Sequence, residues 1–157
     1  MKISDKGLAL IKRYEGCVLR AYLCPASKWT IGFGHTGPDV KPGLTITQAQ
    51  ADELLRKDVE RFEREVTQLI GSAPTTQGQF DAMTCLAYNI GSDIDADTIP
   101  EGLGDSTLLR RHLQGDYARA ANEFLKWNKA RNKARKLVVL SGLTKRRAQE
   151  RELYLGH

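Results

Sequence analysis

What the sequence lacks narrows the field before any motif is read. It has only three cysteines in 157 residues, Cys17, Cys24 and Cys85, an odd number at spacings that match neither a disulfide framework nor a zinc site. Cross-links and a structural metal are therefore not expected, and the length suffices to bury a core without them. Long apolar runs are missing as well. Residues 8–11 form too short an apolar stretch for a signal-peptide core or a membrane span. There is no internal repeat, no low-complexity tract and no metal or nucleotide motif. The expectation is a monomer made in the cytoplasm with reduced thiols, needing no cofactor and no metal.

Acidic residues are scarce in the last third. Residues 105–157 hold 13 Lys and Arg against 5 Asp and Glu, whereas the rest of the chain holds 11 against 14. The densest part is residues 126–136, with Lys126, Lys129, Arg131, Lys133, Arg135 and Lys136. Such a surface attracts polyanions in general. A specific nucleic-acid reader would need a recognisable module, and no zinc-finger spacing, RNP pattern or clear helix-turn-helix occurs. Nucleic acid is therefore not an expected partner, and charge alone does not choose between anionic lipid and an acidic cell wall.

The patterning that is present describes an α+β chain. Ser4 can cap a helix that carries Leu8, Ile11 and the Leu10/Tyr14 pair and ends near Gly16. Residues 18–35 turn to β-type side chains around Pro25-Ala26-Ser27-Lys28, which reads as a hairpin. The glycines and prolines that follow mark a further short strand or loop closing a small β-rich lobe. Thr47 with Gln50 makes a capping box for a long helix to about Ile70. Phe80, Met83, Ala87 and Ile90 predict a central helix stopped by Gly91, after which residues 92–105 read as a surface loop. Ser106 and Asp116 each cap a short helix. Residues 138–142 look like a connector, and a last helix is expected from Thr144 or nearby until just before Gly156.

The chemistry gathers in Tyr14-Glu15-Gly16, then Cys24, then Thr30-Ile31-Gly32-Phe33-Gly34-His35. Glu15, Cys24 and Thr30 are separated by eight and five residues. This resembles the phage lysozymes of glycoside hydrolase family 24, whose signature is Glu, eight residues, Asp or sometimes Cys, five residues, Thr. The resemblance continues in order through Phe80-Asp81-Ala82, Ala87-Tyr88-Asn89-Ile90-Gly91, Ser106-Thr107-Leu108-Leu109-Arg110, Glu123-Phe124-Leu125-Lys126-Trp127-Asn128 and Gly142-Leu143-Thr144-Lys145-Arg146-Arg147. It covers nearly the whole chain.

That resemblance implies a lysozyme-like fold: a β-rich lobe over about 15–46, a connecting helix over about 48–70, and a helical lobe over about 75–157, with a groove between lobes. It implies cleavage of the glycan strands of bacterial peptidoglycan, and release of the enzyme to the wall through a holin-type pore, without stable membrane anchoring. Glycosidic cleavage needs an acid for the leaving oxygen and a nucleophile or base across the sugar ring. Glu15, at a helix C-terminal edge where the dipole disfavours a carboxylate, should tend to keep its proton and is the candidate acid. By the resemblance, Cys24 takes the place of an Asp that stabilises positive charge on the sugar, and Thr30 holds the attacking water.

A thiol titrating near 8.5 fills that role only if a cation or hydrogen bonds favour its thiolate, and Lys28 and Arg20 are close in sequence. The alternative is a structural thiol, with Glu15 working with Thr30 and another acid. Asn89, His35 and Arg146 are the candidate substrate-binding residues, each with a plainer explanation beside it. Asn89 also fits a helix end, His35 a half-buried, internally hydrogen-bonded ring, and Arg146 either a surface cation or a partner for Glu15. A lytic transglycosylase, and a wall-binding protein of the same fold without activity, stay open.

Overall fold

In a computed structural model the described residues are 1–95 and 101–157; the part of the expected 92–105 loop at residues 96–100 lies outside them. The chain divides into two compact units, residues 11–61 and residues 1–10 with 62–157. Helices α1 (Asp5–Glu15) and α2 (Gln48–Ile70) each contribute to both.

The smaller unit is built around a three-stranded antiparallel sheet of β1 (Val18–Leu23), β2 (Trp29–Gly32) and β3 (His35–Thr36) in that order. Tyr22 pairs with Thr30 and Leu23 with Trp29, so Cys24 is the first residue past the β1 ladder. The Cys24 N–H donates to the Lys28 carbonyl at 2.9 Å, and Pro25, Ala26 and Ser27 make the connection, Ser27 taking a positive φ of 59°. A three-residue hairpin loop needs one left-handed residue, and here a serine supplies it. Ile11, Ile31, Phe33, Val40, Ala51, Leu55 and Val59 are the buried apolar residues of this unit. Thr47 and Gln50 exchange the two hydrogen bonds of the capping box, at 2.9 and 3.2 Å, and so fix where α2 begins.

The larger unit is helical. It contains α3 (Gln77–Ile90), α4 (Thr107–Leu113), α5 (Tyr117–Glu123) and α6 (Ser141–Leu155). Phe80, Met83, Leu86, Leu108, Ala121 and Phe124 anchor its core. Thr76 and Gln79 form a second reciprocal box at the start of α3, while Ser106 and Asp116 cap α4 and α5 as their sequence positions suggest. Gly78 permits a close approach: a Cβ there would lie 2.5 Å from the Leu153 carbonyl of α6.

Two expectations are corrected in this unit. The last helix begins at Ser141, three residues before Thr144. The supposed connector is half strand: β5 (Leu137–Val139) pairs antiparallel with β4 (Lys129–Arg131) inside the basic run. Cations at alternate positions of β4 hide its period, and the turn has no glycine. Instead Arg135 takes φ 60° and the Asn132 side chain accepts from the Lys136 N–H at 3.0 Å.

Candidate active site

Glu15 is the last residue of α1, and the chain leaves the helix through Gly16 at φ 67°, whose N–H donates to the Lys12 carbonyl at 3.1 Å. A left-handed glycine directly after the last turn is what stops this helix where it does. The half-buried Glu15 carboxylate lies against the backbone of Gly34: a Cβ added there would stand 3.3 Å from Glu15 Oε2. Gly34 also takes φ 84°, so the β2–β3 corner both needs and uses the missing side chain.

Cys24 is a free, half-buried thiol. Hydrogen bonding from the Lys28 backbone, then from the Thr30 side chain, holds its pKa below the ordinary thiol value, against a smaller opposing effect of desolvation. The sequence pointed to the Lys28 and Arg20 side-chain charges; the turn instead supplies the Lys28 backbone. Thr30 is buried, and its hydroxyl donates to the Lys28 carbonyl at 3.0 Å. Thr30 therefore ties its own strand to the hairpin turn beside the sulfur. Cys85, by contrast, is fully buried, donates to the Gly7 carbonyl at 3.4 Å, and burial pushes its thiol well up. Iodoacetamide near neutral pH should modify Cys24 well before Cys85, and peptide mapping against time will show the order.

His35 opens β3 with both ring nitrogens engaged. Nδ1 lies 2.8 and 3.0 Å from the Asp58 oxygens of α2, and Nε2 lies 3.0 and 3.2 Å from those of Asp39. Burial works against the charged ring, but the bonds to Asp58 and then Asp39 outweigh it, and its pKa rises above the usual imidazole value. Asp39 is held below the ordinary carboxylate value, chiefly by its bond to His35. A raised histidine stabilises the fold fully below its unfolded pKa near 6.5, and that contribution fades as pH climbs through the higher folded value. His35→Ala should therefore cost about 1–3 kcal/mol at pH 6 and markedly less at pH 9, read by denaturant unfolding at the two pH values.

Asn89 and Arg146 belong to the other unit. Asn89 is exposed near the end of α3, and its Oδ1 accepts from Arg147 Nη2 at 2.9 Å. Arg146 is 5% exposed, with Nε 3.4 Å from Glu150 Oε1. The sequence reading missed the centre of this group. Arg147 and Glu150 are both wholly buried, paired through Nε–Oε2 at 2.8 Å and Nη2–Oε1 at 3.0 Å. An Arg and a Glu three apart on a helix read as a surface pair; only the burial of that face reveals them.

The phage lysozyme family model matches residues 12–150. The chain belongs to the phage lysozyme family. Among its relatives, an endolysin of Acyrthosiphon pisum secondary endosymbiont phage 1 is 43% identical over 98% of both chains. An endolysin of Bacillus phage B103 is 45% identical over 99% of this chain, which spans 54% of that longer protein. The solved endolysin from Escherichia coli O157:H7 phage FAHEc1 matches with a TM-score of 0.86 and 40% identity, over 99% of this chain and 94% of that one.

The contact between Glu15 and Gly34 gives a test of its own. Gly34→Ala combines left-handed strain of about 1–2 kcal/mol with a methyl pressed against the carboxylate. Gly43 has the same φ of 84° with nothing within 4 Å of its would-be Cβ, so Gly43→Ala supplies the strain alone. Lytic rate is expected to fall about tenfold or more in Gly34→Ala, because misplacing a reacting group by a fraction of an ångström is costly, and to stay near wild type in Gly43→Ala.

Proposed function

We propose that this chain is an endolysin that hydrolyses the β-1,4 bond between N-acetylmuramic acid and N-acetylglucosamine in bacterial peptidoglycan and so lyses the host. The observation that carries the reading is the Glu15 carboxylate seated on Gly34 at the end of α1, in the same compact unit as the Cys24–Thr30 pair. Family membership supports peptidoglycan as the substrate.

In this reading Glu15 gives its proton to the bridging oxygen as the glycosidic bond breaks, and positive charge spreads over the sugar ring. The Cys24 thiolate, favoured by hydrogen bonds at the hairpin turn, faces that charge as the family's Asp does. Thr30 orients a water molecule, whose oxygen bonds to the anomeric carbon while its proton passes to the Cys24 thiolate. Asn89 binds the glycan strand, whereas Arg146, buried beside Glu150 and so not the surface cation the sequence allowed, is assigned a structural role in place of sugar binding. His35, with both nitrogens on carboxylates, braces β3 against α2 and is assigned that role in place of sugar binding.

Release to the wall is proposed to use a holin-type pore, with the enzyme acting as a monomer. No helix among the described residues is long and apolar enough to cross a membrane.

Mass spectrometry of fragments released from purified sacculi tests the chemistry. Hydrolysis adds one water and leaves a reducing muramic acid, which borohydride converts to its alditol. An anhydro product would assign a lytic transglycosylase, a reducing glucosamine would move the cut to the other bond, and no fragments would leave a binding protein.

A further inference from the structure

The β4–β5 hairpin takes no part in the chemistry above, yet its exposed face combines apolar and cationic side chains. Lys129 faces Val139 and Arg131 faces Leu137 across the ladder, and all four are exposed. Leu137 and Val139 each keep 58% of their surface in solvent, the highest values among the large exposed apolar residues described. Ala130 and Val138, which alternate with them, are the half-buried pair on the opposite side. The turn adds Lys133, Arg135 and Lys136, and no Asp or Glu occurs between Glu123 and Glu150.

We propose that this hairpin is a docking surface for an anionic lipid bilayer. Cations alone would suit any polyanion, including a wall polymer or a nucleic acid, but neither rewards two adjacent side chains as apolar as Leu137 and Val139. An anionic bilayer rewards both features at once. Apolar side chains enter the boundary between headgroups and acyl chains, while neighbouring Lys and Arg extend along it to the phosphates. The two sets share one face of the ribbon because cross-strand partners in an antiparallel pair point the same way. Each cation near such a surface strengthens binding roughly fivefold at physiological salt, and the effect weakens within a Debye length as salt rises. The contact is peripheral and reversible, which suits an enzyme that must reach the wall lying directly against a membrane.

Co-sedimentation of the full chain with vesicles of phosphatidylcholine, with and without phosphatidylglycerol, tests this at several salt concentrations. Binding is expected to the anionic vesicles only and to fall steeply with salt. Leu137→Ser with Val139→Ser should reduce it about tenfold. Lys133→Gln, Arg135→Gln and Lys136→Gln together should reduce it by about a hundredfold. Both variants should hydrolyse soluble, uncross-linked peptidoglycan at the wild-type rate, which also reports that they are folded. Equal binding to neutral vesicles, or none to anionic ones, overturns the proposal. So does tight binding to purified sacculi or to DNA that the Leu137/Val139 variant retains, which would assign the hairpin to a soluble polyanion. A fall in soluble-substrate hydrolysis with vesicle binding intact would assign it to the glycan instead.

Discussion

Replacing Glu15 by Gln should lower the lytic rate by roughly 10²- to 10⁴-fold, the usual contribution of a positioned general acid. Gln has nearly the same shape, so it keeps the contact with Gly34 while losing the proton that the leaving oxygen needs. Folding should scarcely change, and the thermal midpoints of the two proteins should agree within a few degrees. Loss of turbidity of outer-membrane-stripped Gram-negative cells, wild type beside variant, is the measurement. A variant that keeps more than a tenth of the activity removes Glu15 from the acid role. It would also revive the idea of a wall-binding protein, because such a protein has no use for an acid at that position. Loss of rate together with a lowered midpoint would instead point to damage to the end of α1, and the Gly43→Ala control gives the scale of a purely structural loss.

The parts of the fold that were legible in the sequence are those set by local chemistry. Thr47 with Gln50 and Ser106 mark helix starts because their side chains satisfy backbone N–H groups within three residues. Gly91 and Gly156 mark helix ends because the chain needs a positive φ there. The Glu15, Cys24 and Thr30 spacing was equally readable, since a short hairpin converts it directly into proximity of Cys24 and Thr30. What stayed hidden depends on partners far along the chain or on burial that breaks the usual pattern. Nothing near His35 announces Asp58, 23 residues away. The start of α6 was misread because Leu140, in the N-cap position, offers no side-chain cap. Its core-facing side also lacks a clean apolar stripe, since Arg146, Arg147 and Glu150 occupy it. In β4, cations stand where an alternating apolar strand would be sought, and the left-handed turn residue is an arginine.

The largest stability loss is expected from Arg147→Met, because that side chain holds three parts of the helical unit at once. Its guanidinium pairs with Glu150 on α6, donates to Asn89 on α3 at 2.9 Å, and reaches the Trp127 carbonyl at 3.4 Å. Removing one partner of a buried ion pair typically costs about 3–5 kcal/mol, most of it from stranding the other charge. Burial has already pushed the Glu150 carboxyl up to about 7 against the pull of Arg147 and Arg146. In the variant only Arg146 of that pair of cations remains, so the folded-state pKa of Glu150 rises further. A carboxyl raised by folding stabilises most below its unfolded pKa and least above its folded one. Near pH 5.5 Glu150 is protonated in both folded proteins, and the deficit is at its smallest. Above pH 7 the wild type can ionise Glu150 and the variant resists, so the deficit widens. Urea unfolding of wild type and variant at pH 5.5 and 8.5 measures that difference, and Arg147→Met with Glu150→Gln should recover at least half of the loss at the higher pH. A deficit that is the same at both pH values, with no recovery in the double variant, would mean that Arg147 acts by packing and hydrogen bonding alone. Because the same guanidinium fixes the Asn89 carbonyl, the single variant should also raise KM on soluble peptidoglycan if Asn89 binds the glycan, whereas an unchanged KM would remove Asn89 from the substrate site.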